Sequence, residues 1–510
     1  MEASTKTIES LIIKTSLAAQ ELYFSAKQDI NILHACDNTV SPLLQLVLEL
    51  RRDVKFVLAD LNTSYRALIA SNNPIEKRLN LKNFQAEMHE SYKLLYGFSN
   101  MRQYSTWARI GKELHTLAEK GQDDNYELLL KAYNLATTII LKNESTDYDK
   151  NNRDLTYHYD EDMLKVYQSI LEANDEEAIS QKFISILCPF QIVLLFADHI
   201  ELVEGTKGNM LPKVDSINSS ILLVQRIKDE IIKDNGRLEK VLNSILQNPS
   251  RLDTAASMRR GISGFKVFVS EKNPLVIIPE ADNMIVMTNA FLLLQIMLVD
   301  VATIVNAFIH SNCDPEYVIS LRRLTITRVS TLSQLYGYSE AEHRKSLWAS
   351  ICSLIPESDK SLVEESQEIR SALAELIDIT DKKDRTLYSH LMNNKRRKSN
   401  VPEIISKIEK VDCFEELKKA DSLLRVTKRV QDFLKALMNQ LAKDAKEKSE
   451  ASRTSLLTQL ATIRELVNNS QSPESLRSSF IEQIVLLEEF IKNPLFVKNE
   501  QIISNRNNSK

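Results

Sequence analysis

Glycine and proline are scarce in this chain. Of its 510 residues, only 9 are glycine and 12 are proline. Folds built from many β-strands need both residues at their turns, so this scarcity excludes a β-sandwich or barrel and favours helices joined by short loops. Apolar residues make up 43% of the chain and charged residues 26%, as in an ordinary globular protein. We therefore predict an all-α fold.

The chain also lacks the marks of an exported or membrane protein. Its 5 cysteines include no C-x-x-C pair, which indicates reduced thiols and neither a disulfide framework nor a zinc site. Met1–Ser10 is polar and mixed in charge, so we expect no signal peptide. The most apolar run, Phe291–Ile309, contains Asp300 and three uncharged polar residues, which favours a buried core helix over a membrane span. We expect a cytoplasmic protein with no membrane partner.

Several enzyme classes find no support in the sequence. It contains no G-x-x-x-x-G-K-[ST], no G-x-G-x-x-G, no H-E-x-x-H and no G-x-S-x-G. The net charge of -4 gives no global nucleic-acid signal, although it leaves room for a local basic groove. Six of the 8 histidines show no metal-like spacing with one another: His34, His89, His115, His199, His310 and His343. We expect no cofactor and no metal.

An internal repeat is the main positive feature of the sequence. Asp60–Asn72 can be laid on Asp300–Asn312, an offset of 240 residues. The same offset, or one residue more, pairs Glu76 with Glu316, Leu95–Ser99 with Leu335–Ser339, and Trp107 with Trp348. The chain has only 2 tryptophans, and these are the two. Matched rare residues in nearly constant register predict two diverged copies of one helical domain.

Apolar residues at helical spacing predict corresponding helices in the two copies. Copy one is expected to have helices near Thr5–Cys36, Leu44–Ser71 and Glu76–Leu95, and copy two near Val214–Leu246, Met284–Ser311 and Glu316–Leu335. Gly97 and Gly337 are the expected C-cap residues. The aromatic residues that follow should pack the helix–turn–helix corners: Tyr96, Trp107, Tyr336 and Trp348.

The repeat predicts three segments along the chain. Residues 1–205 form the first helical bundle, and residues 206–445 form the second. The second bundle carries an irregular insert at 261–282, which could form a short hairpin. Residues 446–510 form an appendage, with helices near Glu450–Asn468 and Pro473–Ile491 and a disordered polar tail.

One motif that could carry chemistry occurs once in each copy. Only two of the histidines have an arginine five residues upstream, in Arg153–His158 and Arg385–His390. A guanidinium can clamp a phosphate and stabilise a charged transition state, and an imidazole can move protons near neutral pH. Residues five apart do not share a narrow helix face, so the pair would converge best with the arginine at a helix start. A single such motif is weak, but equivalent positions in two copies strengthen it.

This arrangement resembles the HEPN superfamily, the higher eukaryote and prokaryote nucleotide-binding domains. Many members are metal-independent endoribonucleases of toxin–antitoxin, CRISPR and phage-defence systems, and two such domains usually face each other to form one composite site. The resemblance implies catalytic roles for Arg153, His158, Arg385 and His390, with RNA as the substrate. It also implies an intramolecular pseudo-dimer and leaves further oligomerisation and a regulatory protein or antitoxin open.

The two motifs differ in their supporting residues. Asp154 follows the first arginine, as is typical of the family, whereas Thr386 follows the second and leaves the activity of copy two open. Copy two is basic around its motif, where six residues are candidates for RNA binding: Lys382, Lys383, Lys395, Arg396, Arg397 and Lys398. The run Lys395–Lys398 could instead dock on the acidic residues around the motif of copy one, be a solvated loop or be a nuclear-import tag. Those acidic residues are Asp147, Asp149, Asp154, Asp160, Glu161 and Asp162.

A second interpretation comes from a different class of protein. The chain could be a non-catalytic helical scaffold that binds a partner or a nucleotide, with vestigial motifs. In that case the arginines would be ion-paired and the histidines would lie at helix starts, satisfied by carboxylates or carbonyls. The distance between His158 and His390 distinguishes the two interpretations.

Overall fold

The computed structural model confirms the all-α class. It describes residues 2–469, except for 37–39, 98, 122–123, 143–162, 173–175, 216–228, 230–235, 248–251, 261–278 and 394–397, together with scattered positions from 474 to 488. Within this part of the chain the only strands are β1 (Met392–Asn393) and β2 (Lys398–Ser399), which pair antiparallel. The chain divides into two compact units, Met1–Asp432 and Phe433–Lys510. The predicted boundaries at 205 and 445 stay a prediction.

The first unit begins with long helices that pack on one another. The helices of its first half are α1 (Glu2–Ala35), α2 (Pro42–Ile69), α3 (Pro74–Tyr96), α4 (Thr106–Glu119), α5 (Asp124–Lys142), α6 (Met163–Glu172) and α7 (Glu176–Thr206). Helix α2 is buried along most of its length, because α1, α3 and α7 all pack against it. It begins where the Ser41 hydroxyl accepts a hydrogen bond from the Leu44 N–H, and Pro42 fits the first turn.

The second half of this unit is also helical. Its helices are α8 (Arg237–Leu246), α9 (Pro279–Ile309), α10 (Asp314–Leu335), α11 (Glu340–His343), α12 (Leu347–Cys352), α13 (Lys360–Glu375), α14 (Ile379–Tyr388), α15 (Val401–Ile408) and α16 (Cys413–Asn468). Residues 252–260 are also helical. The two predicted long helices of each copy therefore exist as α2 and α3 and as α9 and α10.

Equivalent positions end and begin these helices in the two halves. Helices α2 and α9 end at Ile69 and Ile309, which lie 240 residues apart. Gly97 and Gly337, the predicted C-cap glycines, both have positive φ, at 75° and 87°. In each case only a residue without a Cβ adopts this conformation at little cost. The prediction of a C-cap is confirmed for Gly97, whereas the C-cap of α10 is Tyr336 and Gly337 follows it.

The tryptophan corners also correspond. The Ser105 hydroxyl caps α4 by accepting from the Ala108 N–H, and the Ser346 hydroxyl caps α12 by accepting from the Ala349 N–H. Trp107 and Trp348 are the second residues of these helices and are almost completely buried. Their predicted packing role is confirmed.

Helix α9 is the apolar run noted in the sequence. Its segment Ile285–Ile309 is long and apolar enough to cross a membrane by length and composition, but 89% of the tested window is buried inside the protein. Burial of this extent is typical of the core helix of a soluble protein. The interpretation of this run as a core helix therefore agrees with the structure.

Two local predictions need correction, and two others concern residues that lie wholly or largely outside the described part of the chain. The helix expected to begin near Glu450 instead continues without a break from Cys413 to Asn468. The expected mate of α1 is not helical at Val214 and Asp215, and its described helix is α8. The expected hairpin falls largely on 261–278, outside the described residues, while 279–282 already belong to α9. The predicted disordered tail also lies outside them.

Candidate functional site

Helix α14 carries the motif of the second half. It begins where the Asp378 carboxylate accepts a hydrogen bond from the Thr380 N–H, and Arg385 lies in its last turn. His390 follows the C-cap residue Ser389 and lies outside the helix. Arg385 therefore does not lie at a helix start, the arrangement in which the pair would converge best, because the Asp378 cap sets the start at Ile379, six residues earlier. Arg153, Asp154 and His158 lie outside the described residues.

Arg385 lies half-buried beside two residues of the same half. Its burial lowers the pKa of the guanidinium, while the nearby Tyr338 hydroxyl and Glu342 carboxylate act in the opposite direction. Glu342 also forms an ion pair with Lys382, and this hydrogen bond is the main reason that the pKa of Glu342 is lowered. Lys382, one of the predicted RNA-binding residues, is thus already engaged by a carboxylate.

The remaining motif and basic residues are more exposed. The Thr386 hydroxyl donates to the Lys382 carbonyl at 3.0 Å and so bonds within its own helix. Lys383 and Lys398 are exposed, and Lys398 belongs to β2. Lys395, Arg396 and Arg397 lie outside the described residues. Two of the six candidate cations are therefore shown as accessible to a ligand.

Buried polar groups fix the backbone around the motif. The Arg322 Nε donates to the Tyr388 carbonyl at 2.7 Å, and the Asn400 Nδ2 donates to the His390 carbonyl at 2.7 Å. Arg322 is completely buried. Two hydrogen bonds therefore hold the backbone at the end of α14 and at His390. They fix the backbone positions from which the side chains of Arg385 and His390 extend.

A second ionic group holds the start of α14. The Arg328 guanidinium lies 2.7 Å from an Asp381 oxygen and 2.9 Å from a Glu416 oxygen, and all three residues are buried. These two carboxylates raise the pKa of Arg328 although its burial acts in the opposite direction. Lys419 lies 3.5 Å from Asp381 and 3.1 Å from Glu416 and is more exposed.

The same arginine that holds Tyr388 also joins the two halves. Arg322 pairs with Asp60 of α2 and lies 3.1 Å from Glu87 of α3, and Arg323 also pairs with Asp60. All four residues are buried, so two cations and two carboxylates neutralise one another inside the protein. Desolvation nevertheless raises the pKa of Asp60 to about 6, although the positive charge of Arg323 acts to lower it.

Two further contacts between the halves involve positions that are related by the offset of 240 residues. Arg66 lies 3.3 Å from Glu316, and the Asn306 Nδ2 donates to Glu76 at 2.6 Å. Residues 66 and 306 are equivalent in the repeat, and so are residues 76 and 316. The two contacts therefore join positions that the sequence alignment pairs with each other.

The buried ionic groups follow the same rule. Asp60 pairs with Arg322, and an offset of 240 residues relates these positions to Asp300 and Lys82, which attract each other electrostatically. Burial lowers the pKa of Lys82 to about 8, and Asp300 opposes this shift. Charged side chains of opposite sign therefore lie at the aligned positions of α2–α3 and α9–α10.

Sequence reasoning missed this ionic interface. The repeat alignment includes Asp60, Glu76 and Glu316, but matched positions alone do not identify the residues that they contact. Their signal was available, since Asp60 lies between Ala59 and Leu61 on a helix that is otherwise apolar on several faces. An acidic residue at such a position is expected to meet a buried partner.

Comparisons with protein-family models, with curated proteins and with solved structures find no match for this chain. Among the described residues, no group of three or more histidines, cysteines or carboxylates is arranged to hold a metal ion.

Proposed function

We propose that the chain consists of two diverged copies of one helical domain that meet as an intramolecular pseudo-dimer. The exchanged contacts carry this proposal, since Arg66–Glu316 and Asn306–Glu76 join equivalent positions in opposite directions. The matched helix ends at Ile69 and Ile309 support it as well. A pseudo-dimer is the arrangement that a composite site between two domains requires.

We further propose that this pseudo-dimer is a metal-independent endoribonuclease. Its site would combine Arg153 and His158 of the first copy with Arg385 and His390 of the second. One imidazole would take the proton of a ribose 2′-hydroxyl, whose oxygen attacks the adjacent phosphorus. The other imidazole would protonate the departing 5′-oxygen, and the guanidinium groups would stabilise the negative phosphorane. The products would be a 2′,3′-cyclic phosphate and a 5′-hydroxyl.

The anchoring of α14 supports a positioned site in the second copy. Arg322, which neutralises Asp60 of the first half, also holds the Tyr388 carbonyl at 2.7 Å. The interface between the halves and the backbone of the motif are therefore coupled through one buried side chain. A composite site needs this kind of coupling, because its reacting groups must be held to within fractions of an ångström.

The test is cleavage of RNA by the full chain in the presence of EDTA. The natural chain should cleave and leave cyclic-phosphate ends, while His158→Ala and His390→Ala should each lower the rate by about 100-fold or more, the usual contribution of a general acid or base. His115→Ala is the matched control, because His115 is exposed on α4 and belongs to neither motif. Equal cleavage by all four proteins, or cleavage only with added metal, would refute the proposal.

A second candidate function is a non-catalytic helical scaffold. It is favoured by the surroundings of Arg385, which is half-buried in the last turn of α14 beside Glu342 and Tyr338. A structural arginine has just such an environment, and Lys382 is also paired with Glu342. If the scaffold is correct, the natural chain leaves RNA intact, and Arg385→Gln lowers the free energy of unfolding of the protein.

We place the protein in the cytoplasm, where RNA is available and thiols stay reduced. A ribonuclease of this kind would act as a toxin or a phage-defence effector, held in check by a regulatory protein or antitoxin. Expression in a bacterial host tests this role: growth arrest that His390→Ala relieves supports it, whereas equal growth with both forms contradicts it.

A further inference from the structure

A polar cleft lies where the two halves meet, away from α14. Its volume is about 350 Å³, which is within the range of small-ligand pockets. Three helices end at its walls: α2 at Ile69, α8 at Leu246 and α9 at Ile309. The polar residues that line it are Arg66, Asn72, Asn73, Glu76, Glu239, Asn243, Gln247, Asn306 and His310.

The equivalent place on the other side of the interface is closed. There the Ser16 hydroxyl of α1 donates to Glu316 at 2.8 Å, and the Asn312 Nδ2 donates to the same hydroxyl at 3.3 Å. Helix α1 thus covers Glu316, which is fully buried. Glu76, the equivalent of Glu316, is also buried and accepts a hydrogen bond from Asn306, but it lines the open cleft. The repeat therefore shows what a purely structural version of this site looks like, and the cleft departs from it.

The electrostatics of the cleft favour a cation. The C-terminus of a helix carries about half a negative charge, and three such ends meet here, against a single N-terminus, that of α3. Glu76 and Glu239 add two carboxylates. The Arg66 guanidinium does not offset them, because it is taken by Glu316 and by the carbonyl oxygens of Ala307 and His310.

The remaining groups include several hydrogen-bond acceptors. The His310 Nδ1 lies 2.9 Å from the Asn306 carbonyl, which can only accept, so Nδ1 donates this hydrogen bond. The side chains of Asn72, Asn243 and Gln247 are exposed and offer carboxamide oxygens. A ligand rich in N–H donors would match these acceptors, whereas the carboxylates of Glu76 and Glu239 would repel a phosphate.

We propose that this cleft binds a small organic cation with several N–H groups, of the polyamine class. Its ammonium groups would pair with Glu76 and Glu239 and donate to the carboxamide oxygens of Asn243 and Gln247. The proposal does not depend on the ribonuclease activity, since none of these residues belongs to either motif.

Titration calorimetry of the full chain with spermidine at about 150 mM salt tests the proposal, because loose counter-ion binding is largely screened under this condition. We expect saturable binding at one site. Glu239→Gln should weaken it about fivefold, the effect of losing one partly exposed ion pair. Asn243→Lys should abolish it, and a lysine near the C-terminus of α8 is compatible with folding. Glu340→Gln removes an exposed carboxylate elsewhere and should bind like the natural chain.

Three results would overturn the proposal. The first is spermidine binding that is absent or does not saturate. The second is equal affinity in Glu239→Gln, Asn243→Lys and Glu340→Gln, with unchanged circular dichroism in all three. The third is displacement of spermidine by equimolar Mg²⁺ or adenosine, which would assign the cleft to a simple divalent cation or to a nucleoside.

Discussion

Replacement of Arg328 by methionine tests the ionic group that holds α14. The Arg328 guanidinium contacts Asp381 at 2.7 Å and Glu416 at 2.9 Å, and Arg328 is only 2% exposed. Methionine retains much of the aliphatic stem but leaves two buried carboxylates without their main partner. Removal of one partner from a buried ion pair typically costs 3–5 kcal/mol.

Lys419 places the expected loss at the lower end of that range. It lies 3.5 Å from Asp381 and 3.1 Å from Glu416 and can compensate part of the negative charge that the substitution leaves unpaired. Its side chain is 36% exposed, so solvent screens its contribution. We therefore expect Arg328→Met to lower the free energy of unfolding by about 3 kcal/mol, measured by urea denaturation near neutral pH.

The exposed pair of Arg344 with Glu340 provides the matched control. Both side chains are at least 75% exposed, so Arg344→Met should cost at most about 0.5 kcal/mol. A double-mutant cycle of Arg328→Met with Asp381→Asn should show coupling of about 1.5 kcal/mol or more, because the two side chains are in contact. A loss for Arg328→Met as small as that for Arg344→Met would refute the argument from burial.

Four further predictions concern pH and local structure. The folded pKa of Asp60 is raised from 3.8 to about 6, so the natural chain should lose stability relative to Asp60→Asn as pH rises from about 4 to about 6, in urea titrations at each pH. The folded pKa of Lys82 is lowered from 10.5 to about 8, so the natural chain should lose stability relative to Lys82→Met as pH falls from about 10.5 to about 8; a flat difference would contradict this. Gly337→Ala should cost about 2 kcal/mol, because φ is 87° and a Cβ would lie 2.8 Å from the Glu342 backbone, whereas Gly205→Ala, with nothing within 4 Å, should be neutral or stabilising. Ser105→Ala and Ser346→Ala should each lower stability by about 1 kcal/mol in thermal unfolding, and a large difference between them would show that the two caps are not equivalent.

Local sequence signals predicted the helices well, for identifiable reasons. The periodic leucines of α2, the prolines at the first turns of α3 and α10 and the glycines after them act within a few residues of one another. Their effect on the backbone is nearly independent of tertiary structure. The continuous helix Cys413–Asn468 escaped prediction because its polar middle carries no signal that distinguishes an exposed helix from a break.

The partners of buried charges were beyond the reach of sequence reasoning. Arg322 contacts Asp60, 262 residues earlier in the chain, and nothing in the local pattern names that partner. The position of Arg385 in α14 depended on the cap at Asp378, which competes with other acidic residues nearby. The geometry of Arg153 and His158 stays a prediction, because they lie outside the described residues.

The contacts exchanged between the halves also have a consequence for how the chain folds. Arg66 and Glu316 are separated by 250 positions, and Asp60 is separated from Arg323 by 263. Such contacts form late, after the entropy of closing a very long loop has been lost, and this slows folding. During synthesis the first half leaves the ribosome before its cationic partners exist, so Asp60 must stay hydrated until α10 arrives. The first half therefore completes its packing only after the second half has been synthesised and has supplied the partners of its buried charges.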